Sequence, residues 1–183
     1  MTSRDFTEVF RTPFFNVEST RDEYSNGAPY FRINSKDSVI CCLINHEDDL
    51  LFARQLRPNL GYQTIEFPAG SVEDGETPIC AAEREIKEEL GFKSRLIFLG
   101  SYRLMMNRTV NKEHLYIGYA LEGEVGATED GISLVKIPRK ELVSAIHNGK
   151  IEQLAALGII KLIDIKFGLN FLFDNEVIDK IWG

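Results

Sequence analysis

The chain has 183 residues, 44% hydrophobic and 27% charged, which suits one soluble domain large enough to bury its own core without staples. A formal net charge of -7 removes any general attraction to nucleic acid or anionic membrane, so phosphate chemistry would need local cations. Three cysteines cannot all pair and show no zinc-like spacing, so reduced core thiols and a cytoplasmic setting are expected.

Near the N-terminus, Asp5 and Glu8 interrupt any apolar run, unlike a signal peptide. Residues 14–33 read as strand segments around a turn at Asn26-Gly27, a pair that tolerates positive φ. Residues 38–45 (SVICCLIN) are nearly all apolar, the pattern of a central strand buried on both faces, with Cys41 and Cys42 pointing to opposite sides. A polar turn at Glu47-Asp48-Asp49 leads to a strand over 50–56. Another follows over 63–67, before Pro68-Ala69-Gly70 ends regular structure.

The clearest helix covers residues 77–90, with Thr77 as N-cap, Pro78 at the first position and Gly91 as stop. Ile79, Ala82, Ile86 and Leu90 fall on one stripe at helical spacing. Further strands are expected over 95–102, 114–121 and 132–137, and helices over 140–147 and 152–167. Lys161, Asp164 and Lys166 break the most apolar stretch, which argues against a membrane span. Strands, one helix, more strands and terminal helices make an α+β chain, layered around a mixed sheet.

The chemistry concentrates in residues 70–92, GSVEDGETPICAAEREIKEELGF. Glu85 and Glu89 lie about 40° apart on the helix, and Glu88 about 60° from Glu85 on its other side. Like charges so placed destabilise an isolated helix, so they call for cations. Arg84, four residues before Glu88, supplies one. A hard divalent ion that prefers carboxylate oxygen would supply more. Such ions reverse the local sign for an anionic phosphate and activate water.

These residues match the Nudix box at every defined position: Gly70, Glu76, Arg84-Glu85, Ile86, Glu88-Glu89, Gly91 and Phe92. Seven positions demand one residue type, which chance would meet in about one window in 10^8 to 10^9 at ordinary residue usage. The chain is identified as a member of the Nudix family on this motif. The resemblance implies a layered α/β/α fold and dependence on Mg²⁺ or Mn²⁺. It also implies metal ligation by Glu85 and Glu89, with Glu88 as third ligand or base and the Ala69 carbonyl as a further ligand. Arg84 would orient the glutamates, Glu76 would support the loop, and Gly70 would allow close backbone approach.

Arg54-Gln55-Leu56-Arg57 and Glu66-Phe67-Pro68-Ala69-Gly70 are similar to segments of the ADP-ribose pyrophosphatase branch. That likeness implies cleavage of a nucleoside diphosphate sugar, with Arg54 or Arg57, and Glu66, on the substrate. Residues 104–109 (LMMNRT) lack the proline that ADP-ribose-preferring members carry, which leaves the choice of sugar nucleotide open. An additional loop base is expected at Glu129 or Glu113. The same branch implies residues 1–35 as a strand extension that pairs two copies into a homodimer, and residues 36–183 as the hydrolase domain. The alternatives are another nucleoside polyphosphate as substrate, or a ligand-sensing domain without turnover.

Overall fold

The computed structural model describes residues 5–21, 26–121 and 128–183. Seven strands build the central sheet: β4 (Ser38–Ile44), β5 (Asp49–Arg57), β6 (Tyr62–Glu66), β7 (Ala69–Ser71), β8 (Ser94–Tyr102), β9 (Glu113–Ala120) and β10 (Ser133–Pro138). Its order is β10-β5-β4-β9-β8, with β6 against β5 and β7 against β4. Only β4 and β9 run parallel; the other pairs are antiparallel. Ahead of it, β1 (Thr7–Arg11), β2 (Phe15–Arg21) and β3 (Pro29–Ser35) form a separate antiparallel sheet.

The sheet splits like a Y. Strand β4 meets β5 only at Leu43–Leu51 and Ile44–Leu50. Beyond that point β7 takes the place beside β4 at residues 38–40, and β6 runs beside the outgoing half of β5. Residues 66–70 cross the fork. Pro68, which has no N–H to leave unpaired, offers its carbonyl to the Cys41 N–H at 3.0 Å.

Alternation along the strands sorts the core into two faces. Val39, Cys41, Leu43, Leu51 and Ala53 pack with Ala81, Ala82, Ile86 and Leu90 of α1 (Pro78–Leu90). Ile40, Cys42, Ile44, Leu50 and Phe52 face Ala156, Ile159 and Ile163 of α3 (Leu154–Phe167), joined by α2 (Leu142–His147) and α4 (Val177–Trp182). Helices therefore cover both sides, as the layered reading expects. The two cysteines do point oppositely, and both are buried.

Phe67 anchors the fork. Its ring is 1% exposed and stacks on Phe52 at 4.5 Å between centroids. Phe67→Ala is expected to cost about 3–5 kcal/mol, read as a lower urea midpoint at an unchanged m-value.

Three elements depart from the sequence expectations. Residues 69–71 are not the end of regular structure but a short strand, because the β4 edge left open by the departing β5 supplies its partners. Strand β1, outside the expected segments, pairs with β2 although all its residues are exposed. Helix α4 adds a last turn, seated by the buried Val177. The turn at Asn26-Gly27 is as expected, with φ of 53° and 80°. The expected strand positions at 22–25 lie outside the described residues. None of the described helices is long and apolar enough to cross a membrane.

Candidate active site

Helix α1 begins where the sequence suggests. The Thr77 hydroxyl accepts the Cys80 N–H at 3.4 Å, Pro78 leads the first turn, and Gly91 ends the helix at φ 77° with its N–H on the Lys87 carbonyl at 3.0 Å. The buried face is Ala81, Ala82, Ile86, Glu89 and Leu90. Ile79, expected on that stripe, is 44% exposed, because it sits in the first turn, short of the packed part of the helix.

A carboxylate thus lies within the apolar face. Glu89 is seven residues from Ala82, about 20° from it around the helix, and is 4% exposed. Its oxygen accepts the Ala69 N–H at 3.3 Å, the one hydrogen bond to that carboxylate among the described residues. Burial pushes its pKa up to about 8, and the nearby Glu85 charge adds to the rise. Burial also raises Glu85, against the pull of Arg84. Folded proteins seldom keep buried carboxylates without close positive charge.

Arg84 is the hub of this corner. Its guanidinium donates to Glu85 at 2.7 Å, Glu88 at 3.0 Å, both oxygens of Glu76 at 3.0 and 3.1 Å, and the Ser71 carbonyl at 2.9 Å. These bonds tie the helix to β7 and to the loop between them, and the Arg84 contact holds the Glu76 carboxyl below its ordinary range. Gly70 faces the same cluster. A Cβ on Gly70 would lie 1.9 Å from Glu85 Oε1, so only glycine admits the side chain there.

Across the fork, Arg57 of β5 holds Glu66 of β6 by two parallel bonds of 2.8 and 2.7 Å, and the Thr64 hydroxyl also donates to Glu66. The Arg57 contact lowers the Glu66 pKa despite half-burial. Both charges are near enough to act on Glu89. One end of the open sheet therefore carries a buried carboxylate, Glu89, a partly buried one, Glu85, a multiply bonded arginine and a second arginine on the opposite lip.

A NUDIX domain model matches residues 34–153, about two thirds of the chain. The chain belongs to the Nudix family. Among curated proteins, it is 45% identical over 51 residues to the ADP-sugar pyrophosphatase of Mus musculus, a match covering 28% of this chain and 23% of that protein. It is 29% identical over 151 residues to the methanol dehydrogenase activator of Bacillus methanolicus, covering 79% and 82%. A crystal structure of an ADP compounds hydrolase superposes with a TM-score of 0.72 at 21% identity, covering 90% of this chain and 92% of that one. That likeness is one of fold.

The Nudix box accounts for most of this corner, and the donor set fits a divalent cation. Glu85, Glu88, Glu89 and the Ala69 carbonyl offer only hard oxygen, and burial raises the Glu85 and Glu89 carboxyls. Among the described residues no three acidic, histidine or cysteine side chains are already gathered as a cage; Arg84 holds Glu85 and Glu88 instead.

The other expected residues divide. Glu129 comes to the helix: its N–H donates to the Glu88 carbonyl at 2.8 Å, and its charge is near enough to raise Glu85. Glu113 opens β9, where the Ser38 hydroxyl and the Asn111 amide occupy its carboxylate. Arg57 and Glu66 share the α1 face. Arg54, an odd number of residues from Arg57, pairs with Ile65 and faces the α3 side. Residues 104–109 turn back on the Met105 carbonyl and dock on β3, where Ile33 N–H meets the Arg108 carbonyl at 2.7 Å.

Ser71 was not singled out in the sequence, since its role is a backbone carbonyl. Thr64 was also missed, although its place two residues before Glu66 on a strand puts both on one face.

Proposed function

We propose that this chain is a divalent-metal-dependent hydrolase that splits a nucleoside diphosphate sugar into a nucleoside monophosphate and a sugar phosphate. The observation that carries the reading is Glu89: a carboxylate buried at the sheet fork, raised by burial and set beside Glu85, opposite Arg57. The names of the mouse ADP-sugar pyrophosphatase and of the ADP compounds hydrolase support the substrate class.

A bound Mg²⁺ or Mn²⁺ would neutralise phosphate charge and acidify water. The chain's own residues supply the remainder. Glu85 and Glu89, with the Ala69 carbonyl, hold the cation, and Glu88 is a third ligand or a base. Arg84 keeps the glutamates oriented through its bonds to Ser71 and Glu76. Arg57, set by Glu66, binds the diphosphate with a planar fork. Water attacks one phosphorus, its proton passes to Glu129 or Glu88, both exposed, and the bridging oxygen leaves on the other phosphate. Glu113 serves the β4–β9 pairing, so Glu129 is the preferred loop base.

ADP-ribose, GDP-mannose, UDP-glucose and a deoxynucleoside triphosphate, each with Mg²⁺ and then Mn²⁺, test the reading by product identification. Monophosphate release from a diphosphate sugar is expected. Turnover of the triphosphate alone, or of nothing, sinks it. Arg57→Ala should raise KM at least about tenfold, the worth of a charged hydrogen bond, while Arg54→Ala should leave KM near its original value. Equal effects at both arginines would contradict the assignment by face.

A homodimer through β1–β3 completes the proposal. Phe10 and Phe31 are 58% and 47% exposed in that sheet, and Phe14, in the turn between β1 and β2, is 83% exposed; exposed apolar side chains gathered in one place suit an interface. Light scattering should give twice the 20.8 kDa chain mass.

A further inference from the structure

Away from the carboxylate corner, a polar line crosses the sheet on the α1 face. Ser101 of β8 lies opposite His114 of β9, His114 opposite Val39 of β4, and Val39 opposite Gly70 of β7. Neighbouring strands are about 4.8 Å apart, so His114 stands about 10 Å from the glycine beside Glu85. Its side chain is 13% exposed. Tyr116, two residues on and therefore on the same face, packs with α1.

Both ring nitrogens of His114 are engaged. Nε2 is 3.1 Å from a carboxylate oxygen of Asp37, and Nδ1 is 2.8 Å from the Ser101 hydroxyl. A carboxylate only accepts, so Nε2 donates to Asp37 and the Ser101 hydroxyl donates to Nδ1. Asp37 lies between β3 and β4. Its other carboxylate oxygen accepts the Lys112 N–H at 2.7 Å, and its carbonyl accepts the Val72 N–H at 2.8 Å. Val72 follows Ser71, whose carbonyl accepts Arg84, and opens the segment that carries Glu76, the other anchor of Arg84. A continuous series of bonds therefore runs from Ser101 through His114, Asp37 and residues 71–72 to Arg84, and from there to Glu85 and Glu88. Lys36 adds an exposed ion pair to Glu73 of the same segment, a kind of contact that contributes little.

We propose that His114 is a positioning residue for the hydrolysis: through Asp37 it fixes residues 71–76, and so the Arg84 guanidinium that orients the glutamates. This rests on the metal-dependent reading of α1. His114 touches no reacting atom, and its effect passes through the Asp37 carbonyl.

Glutamine and asparagine separate the two ring nitrogens. A Gln amide reaches about as far as Nε2 and can still donate to Asp37, whereas an Asn amide reaches only about as far as Nδ1 and keeps the Ser101 contact alone. Mn²⁺ titration of the whole metal-free chain by calorimetry, together with kcat and KM for a diphosphate sugar, reads the difference. His114→Asn should weaken Mn²⁺ binding and lower kcat by about tenfold each, the scale for partners that orient metal ligands. KM should stay near its original value, because Arg57 and Glu66 lie on the opposite lip. His114→Gln should restore both quantities. Asp37→Ala should match His114→Asn, and the double variant should be no worse than either, as expected for one series of contacts. Should His114→Asn fail to fold, Asp37→Ala against His114→Gln carries the same comparison.

Equal behaviour of the Asn and Gln variants would overturn the inference, since a polar residue that merely fills the sheet face has no preference between them. So would full additivity in the double variant. A chain that binds Mn²⁺ with this pattern but turns over no diphosphate sugar would sink the proposed substrate and leave the positioning role in place. A chain that binds no Mn²⁺ would overturn both.

Discussion

Glu89→Gln is expected to lower kcat at least about a hundredfold, the scale of removing one preorganised electrostatic group, while making the metal-free protein more stable. The sign follows from protons. The folded chain holds the Glu89 proton up to about pH 8 because the carboxyl is buried; the unfolded chain releases it at the ordinary carboxylate value. Between those values the folded state binds more protons, so stability falls as pH rises, by about 1.4 kcal/mol per unit. Glutamine carries no such proton and keeps an oxygen for the Ala69 N–H.

The variant's advantage in EDTA should therefore grow from about pH 5 to pH 8 and then level off, measured by urea unfolding at several pH values. Mg²⁺ or Mn²⁺ should stabilise the original chain and not the variant. Glu88→Gln offers a control: its side chain is 50% exposed, so activity should fall with little change in stability at any pH. A Glu89→Gln protein that loses stability in step with activity would make Glu89 a structural residue.

That single residue shows what could be read early and what could not. The motif gave its chemistry, but the sequence reading set the carboxylates beside the stripe of Ala82 and Ile86, whereas Glu89 is buried within that face. Its depth depended on β4 and β7 lying beneath the helix, and β7 (Ala-Gly-Ser) has no strand propensity of its own. It forms because β5 leaves an open edge. The two arginines teach the reverse lesson. Their opposite faces follow from period-two alternation, once the register of β5 is fixed by the buried Leu50–Ala53 run. Likeness to a segment names residues together and does not sort them by face. Glu113 and Glu129 differ in the same way: both are loop-edge acids in sequence, and only the long-range contact to the Glu88 carbonyl separates them.

Gly70→Ala should separate positioning from ligation. No charge or donor is removed. The added methyl falls 1.9 Å from Glu85 Oε1 and 2.0 Å from its Cδ, so one side must give. Glu85 is only 12% exposed and bonded to Arg84 at 2.7 Å, and β7 is bonded to β4. The cheaper movement is rotation of the Glu85 carboxylate out of the corner, since breaking β7 would lose ladder bonds. A displacement near 1 Å at a reacting centre costs about a hundredfold, so kcat should fall by about that factor with a modest loss of melting temperature. Because Glu85 remains present, raising Mn²⁺ should recover part of the rate in Gly70→Ala and much less in Glu85→Gln. Equal rescue of both variants, or of neither, would mean that Gly70 serves the strand and not the approach of Glu85.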